Sequence, residues 1–137
     1  MYKNFKMTFD YRFVENDNVV VCFVTPSRDC GEEIMRYYTL AHIIKDTLPD
    51  EDADIICGDV EFKGIARYKT GDKNDKELAR EIARSKAVRR AFKAYRNVAQ
   101  HCFEIITNEA MDCCGFITSI DNKIDKVQSE IDEYTSK

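Results

Sequence analysis

The sequence predicts an α+β fold: a small antiparallel sheet combined with an inserted helix, a basic helix and a long C-terminal helix patterned in heptads. Apolar and polar residues alternate with the period of a strand near the N-terminus and in the middle of the chain, whereas the segments between and after these have helical spacing. With 137 residues, the chain is long enough for one ordinary domain with its own core. We assign 1–98 to the α+β domain and 99–137 to an amphipathic oligomerisation helix, and the two can form one compact unit.

Three strands are expected. The first covers 5–14, where alternate apolar residues share one face: Phe5, Met7, Phe9, Tyr11 and Phe13. The second, 19–24, is apolar on both faces, which indicates the more central strand of an antiparallel hairpin. The third lies within 55–69, alone or after a short strand at 55–57, and Gly64 marks a bulge or a close backbone approach there.

Two segments before the heptads, 32–48 and 76–97, have helical spacing. Each opens near a capping-box pattern: Asp29 with Glu32, and Asn74 with Glu77. Pro49 is expected to stop the first helix, and the acidic stretch 49–54 is interpreted as a loop.

The basic helix carries two rows of cations on roughly opposite sides. The first row is Lys76, Arg80 and Arg84, and the second is Lys86, Arg89, Lys93 and Arg96. Alanines 79, 83, 87 and 91 run between the rows. The helix is expected either to stay straight, with its first half on the sheet and its second half on another helix, or to kink near Ser85–Lys86. In both cases the rows face different surroundings, which argues against a uniform stripe for reading duplex nucleic acid.

The net charge of −4 conceals a strong asymmetry along the chain. Residues 63–96 hold 12 basic and four acidic residues, and within them 86–96 has five basic residues and no acid. Such a division either recruits anions or pairs with acidic flanks or partners. Glu77 and Glu81 are expected to balance the first half of the helix locally, so the second half is the better anion-binding candidate. The predicted ligand-binding residues are Arg67, Lys86, Arg89, Arg90, Lys93 and Arg96 for charge, with Tyr95 or Tyr68 stacking on a base.

An unbroken 4-3 spacing of apolar residues fills the C-terminal part of the chain over five heptads. Its members are Ala99, Phe103, Ile106, Ala110, Cys113, Ile117, Ile120, Ile124, Val127, Ile131 and Tyr134. Two interpretations stay open: pairing with other chains, or packing on the chain's own domain. For the first, the predicted oligomer interface is Ile106, Ile117, Ile120, Ile124, Val127 and Ile131, whose β-branched side chains favour more than two strands in parallel coils.

No catalytic residue, metal site or cofactor is expected. His42 is interpreted as a residue at the edge of the core, and the neighbours His101 and Cys102 point ~100° apart on a helix, which is poor geometry for activating a nucleophile. His101, Cys102, Cys113 and Cys114 cannot hold one zinc ion, because positions 102 and 113 lie ~16 Å apart along a helix. Phosphate-binding loops and hydrolase motifs are absent from the sequence.

The sequence also indicates a compartment. It has no run of 18 apolar residues and no signal-peptide core, so neither a membrane span nor secretion is expected. The six cysteines are then expected as reduced thiols in a cytoplasm, which is that of the host cell if the protein is viral.

The segment 60–93 resembles the later part of a double-stranded-RNA-binding-like fold. It is also similar to small phage-encoded proteins in which a strand ending in Gly-x-Ala is followed by an Asp-containing loop and a helix that opens with an Ile-Ala pair. The matching residues are Gly64, Ala66, Asp72, Asp75, Ile82 and Ala83. Double-stranded-RNA binders begin their last helix with adjacent lysines, which Lys73 and Lys76 match only in part, and the helix at 32–48 would be an insertion.

The phage resemblance implies a counter-defence factor: a stoichiometric inhibitor of a nuclease complex, or a sponge for cyclic nucleotide signals such as the Thoeris anti-defence proteins. We therefore expect a non-enzymatic accessory protein that binds a nucleotide, a nucleic acid or an acidic or nucleic-acid-handling protein, and that forms homo-oligomers. The alternative is a structural protein that assembles through its C-terminal helix and pairs its basic helix with acidic partner surfaces.

Overall fold

A computed structural model describes residues 7–44, 48–58, 60–69 and 73–136. For residues 28–31 and 73–74 it describes the backbone but not the side chains. The predicted α+β fold is confirmed. Its elements are β1 (Phe9–Asn16), β2 (Val19–Pro26), α1 (Arg28–Ile44), α2 (Asp50–Cys57), β3 (Phe62–Arg67) and α3 (Lys73–Thr135). The strands form one antiparallel sheet in the order β1-β2-β3, so β2 is central, as predicted. Phe5, Asp72 and the capping side chains Asp29 and Asn74 lie outside what the structure describes.

A two-residue turn sets the register of the first hairpin. Asp17 and Asn18 have φ angles of 46° and 67°, a left-handed conformation that Asp and Asn tolerate and that two-residue hairpins require. The turn pairs Asn16 with Val19 and Phe13 with Cys22. Opposite residues share a face, so the aromatic face of β1 continues across the sheet into the fully buried side of β2.

The first half of α3 packs on that face through its alanines. Ala79, Ala83, Ala87 and Ala91 are buried against Val20, Cys22, Val24 and Ala66. The approach is close: a Cβ added to Gly64 would lie 1.9 Å from the Ala83 carbonyl oxygen. The β2–β3 pairing runs without interruption from Val19 to Val24, so Gly64 marks a close approach and not a bulge.

The second half of α3 packs on α1 and α2. Buried members of this second core are Ile34, Ala41, Ile56, Tyr95, Val98 and Cys102. This confirms the division between a half on the sheet and a half on another helix. Helix α3 runs through Ser85–Lys86, where the alternative of a kink was expected, as a single helix of 63 residues that also crosses the boundary between 98 and 99 without a break.

The acidic segment predicted as a loop, and the short strand predicted at 55–57, are in fact helix α2. Pro49 occupies its N-cap, and Asp50, Glu51 and Asp52 fill its first turn, where carboxylates interact favourably with the positive end of the helix dipole. Gly58 closes the helix at a φ of 77°. Helix α1 is described over Arg28–Ile44, so it begins four residues before the predicted start, and residues 45–47 of the predicted helix lie outside the described residues.

Beyond the second core, α3 extends away from the rest of the chain. Ile106 is partly buried against the second core, so this predicted interface residue packs within its own chain. From Ala110 to Thr135, a length of about 40 Å, every residue is exposed. We call 110–135 the tail. Its heptad residues therefore do not pack on the described part of the chain's own domain.

Candidate anion-binding groove

A groove of about 620 Å³ runs where α3 passes β1. Its lining is Tyr11 of β1 with Arg84, Ser85, Val88, Arg89, Phe92, Lys93 and Arg96 of α3. The α3 residues follow steps of three and four, which places them on one side of the helix. We call this the basic groove.

Among the described residues, the charge of the basic groove has a single sign, because its lining includes four cations and no carboxylate. Arg84 lies over the ring of Tyr11, with its guanidinium carbon 5.6 Å from the ring centroid. Within the described residues, Arg89, Lys93 and Arg96 form no ion pair or hydrogen bond. Three predicted ligand-binding cations are thus brought together, exposed and unneutralised.

Lys86 and Arg90, which were predicted for the same surface, do not belong to the lining of the basic groove. The Lys86 ammonium donates to the carbonyl of Ile65, and the Arg90 guanidinium donates to that of Lys63, each at 3.0 Å. Four residues of helix and two residues of strand both advance by about 6–7 Å, so the two side chains match successive outward carbonyls of β3. They cap the open edge of the sheet and belong to the fold.

Two of the three cations of the first row, Lys76 and Arg80, are neutralised, but not by the acids that were expected. The third, Arg84, lines the basic groove beside cations of the second row, so the prediction that the two rows face different surroundings is wrong at this residue. Lys76 and Arg80 reach the carboxylate of Glu15 at the end of β1, at 2.8 and 3.7 Å. Hydrogen bonding and charge from Glu15 raise the pKa of Lys76 above its ordinary 10.5. The predicted balance by Glu77 and Glu81 is therefore replaced by a contact between sheet and helix.

The predicted stacking residue Tyr95 is only 3% exposed, and its hydroxyl donates to the carbonyl of Ile55 at 3.3 Å. It is a core residue and leaves the candidate set. Arg67 and Tyr68 line a separate hollow near the start of α3. The accessible rings are Phe92 and Tyr11, which are 44% and 46% exposed. Sequence alternation placed Tyr11 on the inner face of β1, but nothing in the sequence indicated that α3 passes beside it.

An apolar cleft of about 480 Å³ continues the basic groove between α1 and α3. It is lined by Glu33, Ile34, Tyr37, Phe92, Tyr95, Arg96 and Ala99. Phe92 and Arg96 belong to both cavities. One face of α3 thus offers cations at one end and an apolar surface at the other.

The contacts of His42, His101 and Cys102 are those of residues that stabilise the fold. His101 Nδ1 lies 2.8 Å from Asp52 Oδ2, and Asp52 is 4% exposed, so this pair ties α2 to α3. His42 is exposed on α1 and stacks on Tyr38. Burial, and secondly the Asp52 carboxylate, raise the pKa of the Cys102 thiol above 9.0, which disfavours the reactive thiolate. The described residues contain no group of three or more potential metal ligands.

Comparison with known proteins adds no assignment. No protein-family model, curated protein or solved structure matches the chain. Among the described residues, no helix combines the length and apolar character needed to cross a membrane.

Proposed function

We propose that this chain is a non-enzymatic binding protein that holds a nucleotide or a nucleic-acid strand in the basic groove and assembles through its tail. One observation carries the first half of the proposal: four cations line the groove without a carboxylate, and three of them have no partner among the described residues. A cluster of this kind attracts phosphate groups electrostatically, and each arginine offers a fork of donors to phosphate oxygens.

The shape of the surface favours a ligand with several phosphates and a planar ring. The cations from Arg84 to Arg96 span about 18 Å along α3, which exceeds the size of one phosphate. The exposed rings of Phe92 and Tyr11 offer stacking surfaces, and the apolar cleft beyond Arg96 extends them.

The similarity of 60–93 to small phage-encoded proteins supports a counter-defence role within this function. Such a protein would act in the host-cell cytoplasm by stoichiometric capture, either of a nucleotide signal or of a nucleic-acid-handling immune complex.

Fluorescence anisotropy with a labelled single-stranded oligonucleotide, and competition by nucleoside triphosphates, tests the binding half. Three phosphate contacts predict an affinity loss of roughly 20-fold between 50 and 200 mM salt. Arg89→Ala and Lys93→Ala should weaken binding, whereas Lys86→Ala and Arg90→Ala, which alter cations of the same helix, should leave it unchanged. No binding of either probe at 50 mM salt would contradict the proposal.

A second candidate function, assembly of a larger structure, is supported by the exposed apolar row of the tail. In this case the basic groove would face acidic surfaces of neighbouring molecules. Light scattering should then show an oligomer for the full chain and a monomer for a variant that ends at Ala110. A cut at Ala99 is unsuitable, because Cys102 and Ile106 belong to the second core. A monomeric full chain contradicts both this candidate and the assembly half of the first.

A further inference from the structure

The tail exposes a row of large apolar side chains that pack on no other described part of the chain. Ile117, Ile120, Ile124, Val127, Ile131 and Tyr134 are between 42% and 76% exposed. Upstream of Ile117 the heptad positions are the small residues Ala110 and Cys113, and Gly115 lies between them and the row. The stretch 117–134 is therefore the part of the tail that a partner helix would cover most effectively.

We propose that two copies of this chain pair through 117–134 as antiparallel helices, with Lys123 of each copy facing Glu130 of the other. The proposal deepens the assembly half of the proposed function and rests on it. Its occupant is a second copy, because the charges that flank the row are complementary to themselves in one antiparallel register, but not in the two neighbouring registers or in a parallel pair.

The heptad gives the possible registers. Ile117, Ile124 and Ile131 take position a, and Ile120, Val127 and Tyr134 take position d. Antiparallel helices place a opposite d, and one register joins Ile117 to Tyr134, Ile120 to Ile131 and Ile124 to Val127. Every layer is then filled by large apolar residues, and Tyr134 lies at the end of the pair, where its hydroxyl reaches water.

Flanking charges select this register. Residues at position g face each other across an antiparallel pair, so Lys123 meets Glu130 twice, once on each side of the two-fold axis. A shift by one heptad in one direction places Lys123 against Lys123 and Asp121 against Asp121. A shift in the other direction places Glu130 against Glu130. Of these three registers, only the proposed one puts opposite charges together.

A parallel pair lacks this complementarity. There, position g of one helix meets position e of the other, so Lys123 would face Gln128 and Glu130 would face Thr135. Neither contact joins opposite charges. A parallel pair in register would also bring the two copies of Cys113, at position d, face to face.

Charge exchange tests the direction on the full-length chain by analytical ultracentrifugation. Lys123→Glu and Glu130→Lys each convert two attractive contacts per dimer into two repulsive ones, which should raise the dimer dissociation constant roughly 5- to 30-fold. The variant carrying both substitutions should return close to the unmodified value. Equal dissociation constants for all four proteins would overturn the antiparallel register.

Oxidation of Cys113 provides a second measurement. In a Cys114→Ala background, mild oxidation should give no dimer linked through Cys113, because the proposed overlap begins four residues beyond it. Rapid formation of that dimer, or a trimeric mass, would overturn the antiparallel pair and leave the assembly half of the proposed function standing. A monomer in solution would overturn both, and neither result bears on ligand binding in the basic groove.

Discussion

Arg89 and Arg90 are adjacent and chemically identical, yet the fold gives them different surroundings. Arg90 donates to the backbone of β3, whereas Arg89 lies exposed in the basic groove. The same contrast separates Lys86, whose ammonium donates to the carbonyl of Ile65, from Lys93, which lies exposed in the basic groove. A cation on this helix is therefore available for a ligand only if the outer edge of β3 does not use it.

The first prediction concerns these two pairs. Lys86→Ala and Arg90→Ala should each lower the free energy of unfolding by about 1 kcal/mol, because each removes an exposed charge-assisted hydrogen bond to an edge carbonyl. Arg89→Ala and Lys93→Ala should change it by less than about 0.5 kcal/mol. Urea denaturation measures all four. A larger loss for Arg89→Ala than for Arg90→Ala would show that the edge contacts do not stabilise the fold.

Gly64 gives the second prediction. In Gly64→Ala the new Cβ would meet the backbone of Ala83 and Ala87, at 1.9 and 2.6 Å, and neither neighbour is a flexible side chain. The helix must move off the sheet, so we expect a loss of about 3 kcal/mol or more in urea denaturation. Gly115→Ala is the control: nothing lies within 4 Å of the added Cβ, and the substitution should stabilise α3 by about 1 kcal/mol.

The sequence allowed correct predictions for residues whose role follows from the periodicity of their own helix or strand. Predictions failed for residues whose role depends on how α3 packs against another element. The period of the alanines predicted the buried spine, and Gly64 was predicted to mark a bulge or a close approach, of which the structure shows the second. Tyr95 was misassigned, because a tyrosine on an amphipathic helix has the same pattern whether its hydroxyl reaches solvent or a buried carbonyl. Tyr11 was missed as a groove residue, because only the packing of α3 beside β1 reveals it.

At the scale of elements, α2 shows that an acidic segment after a proline can be read either as a loop or as a helix. Proline followed by acidic residues is typical of loops and also of the first turn of a helix. The tertiary contacts decide, since Ile56 is buried in the second core and Asp52 pairs with His101. The three strands and two of the three helices were predictable, because their patterns are long enough to be distinctive.

The Asp52–His101 pair carries the third prediction. Asp52→Ala should lower the free energy of unfolding by about 2 kcal/mol, because it removes a charge-assisted hydrogen bond from a side chain that is 4% exposed. Asp54→Ala changes an exposed acid of the same helix and should have an effect within about 0.5 kcal/mol. Hydrogen exchange of the α2 amides should be faster in Asp52→Ala alone. Equal effects of the two substitutions would mean that the pair does not fasten α2.

Considered as a whole, the molecule is two small cores joined by one helix. The sheet packs on the first part of α3, α1 and α2 pack on the next part, and the tail continues from there. Each core contains a buried cysteine, Cys22 in the first and Cys102 in the second. Ionisation of these thiols therefore reports on both cores at once.

The fourth prediction is a loss of stability at alkaline pH. Burial, opposed in part by Arg84, raises the pKa of Cys22 above 9.0, and burial with Asp52 does the same for Cys102. The folded chain then keeps these protons at pH values where the unfolded chain releases them, so this stabilisation is complete below about pH 9 and is lost as the pH rises toward the folded-state values. Urea denaturation should give a flat free energy from pH 7 to 8 and a decline above 9. The variant Cys22→Ala/Cys102→Ala should show a shallower decline, and an unchanged slope would contradict the assignment.

The position of α3 in the chain also determines when the protein can fold during its synthesis. Both cores are formed by earlier segments that pack on α3, and the last buried contributor is Cys102. After the ribosome has made residue 69, a further 2–7 s or so of elongation is needed to reach that cysteine. During this interval the apolar faces of Val24 and Ile34 lack their eventual partner. The nascent chain is thus most exposed to aggregation and to chaperones until α3 has reached Cys102, well before the helix ends, and a product that stops before Ala79 completes neither core.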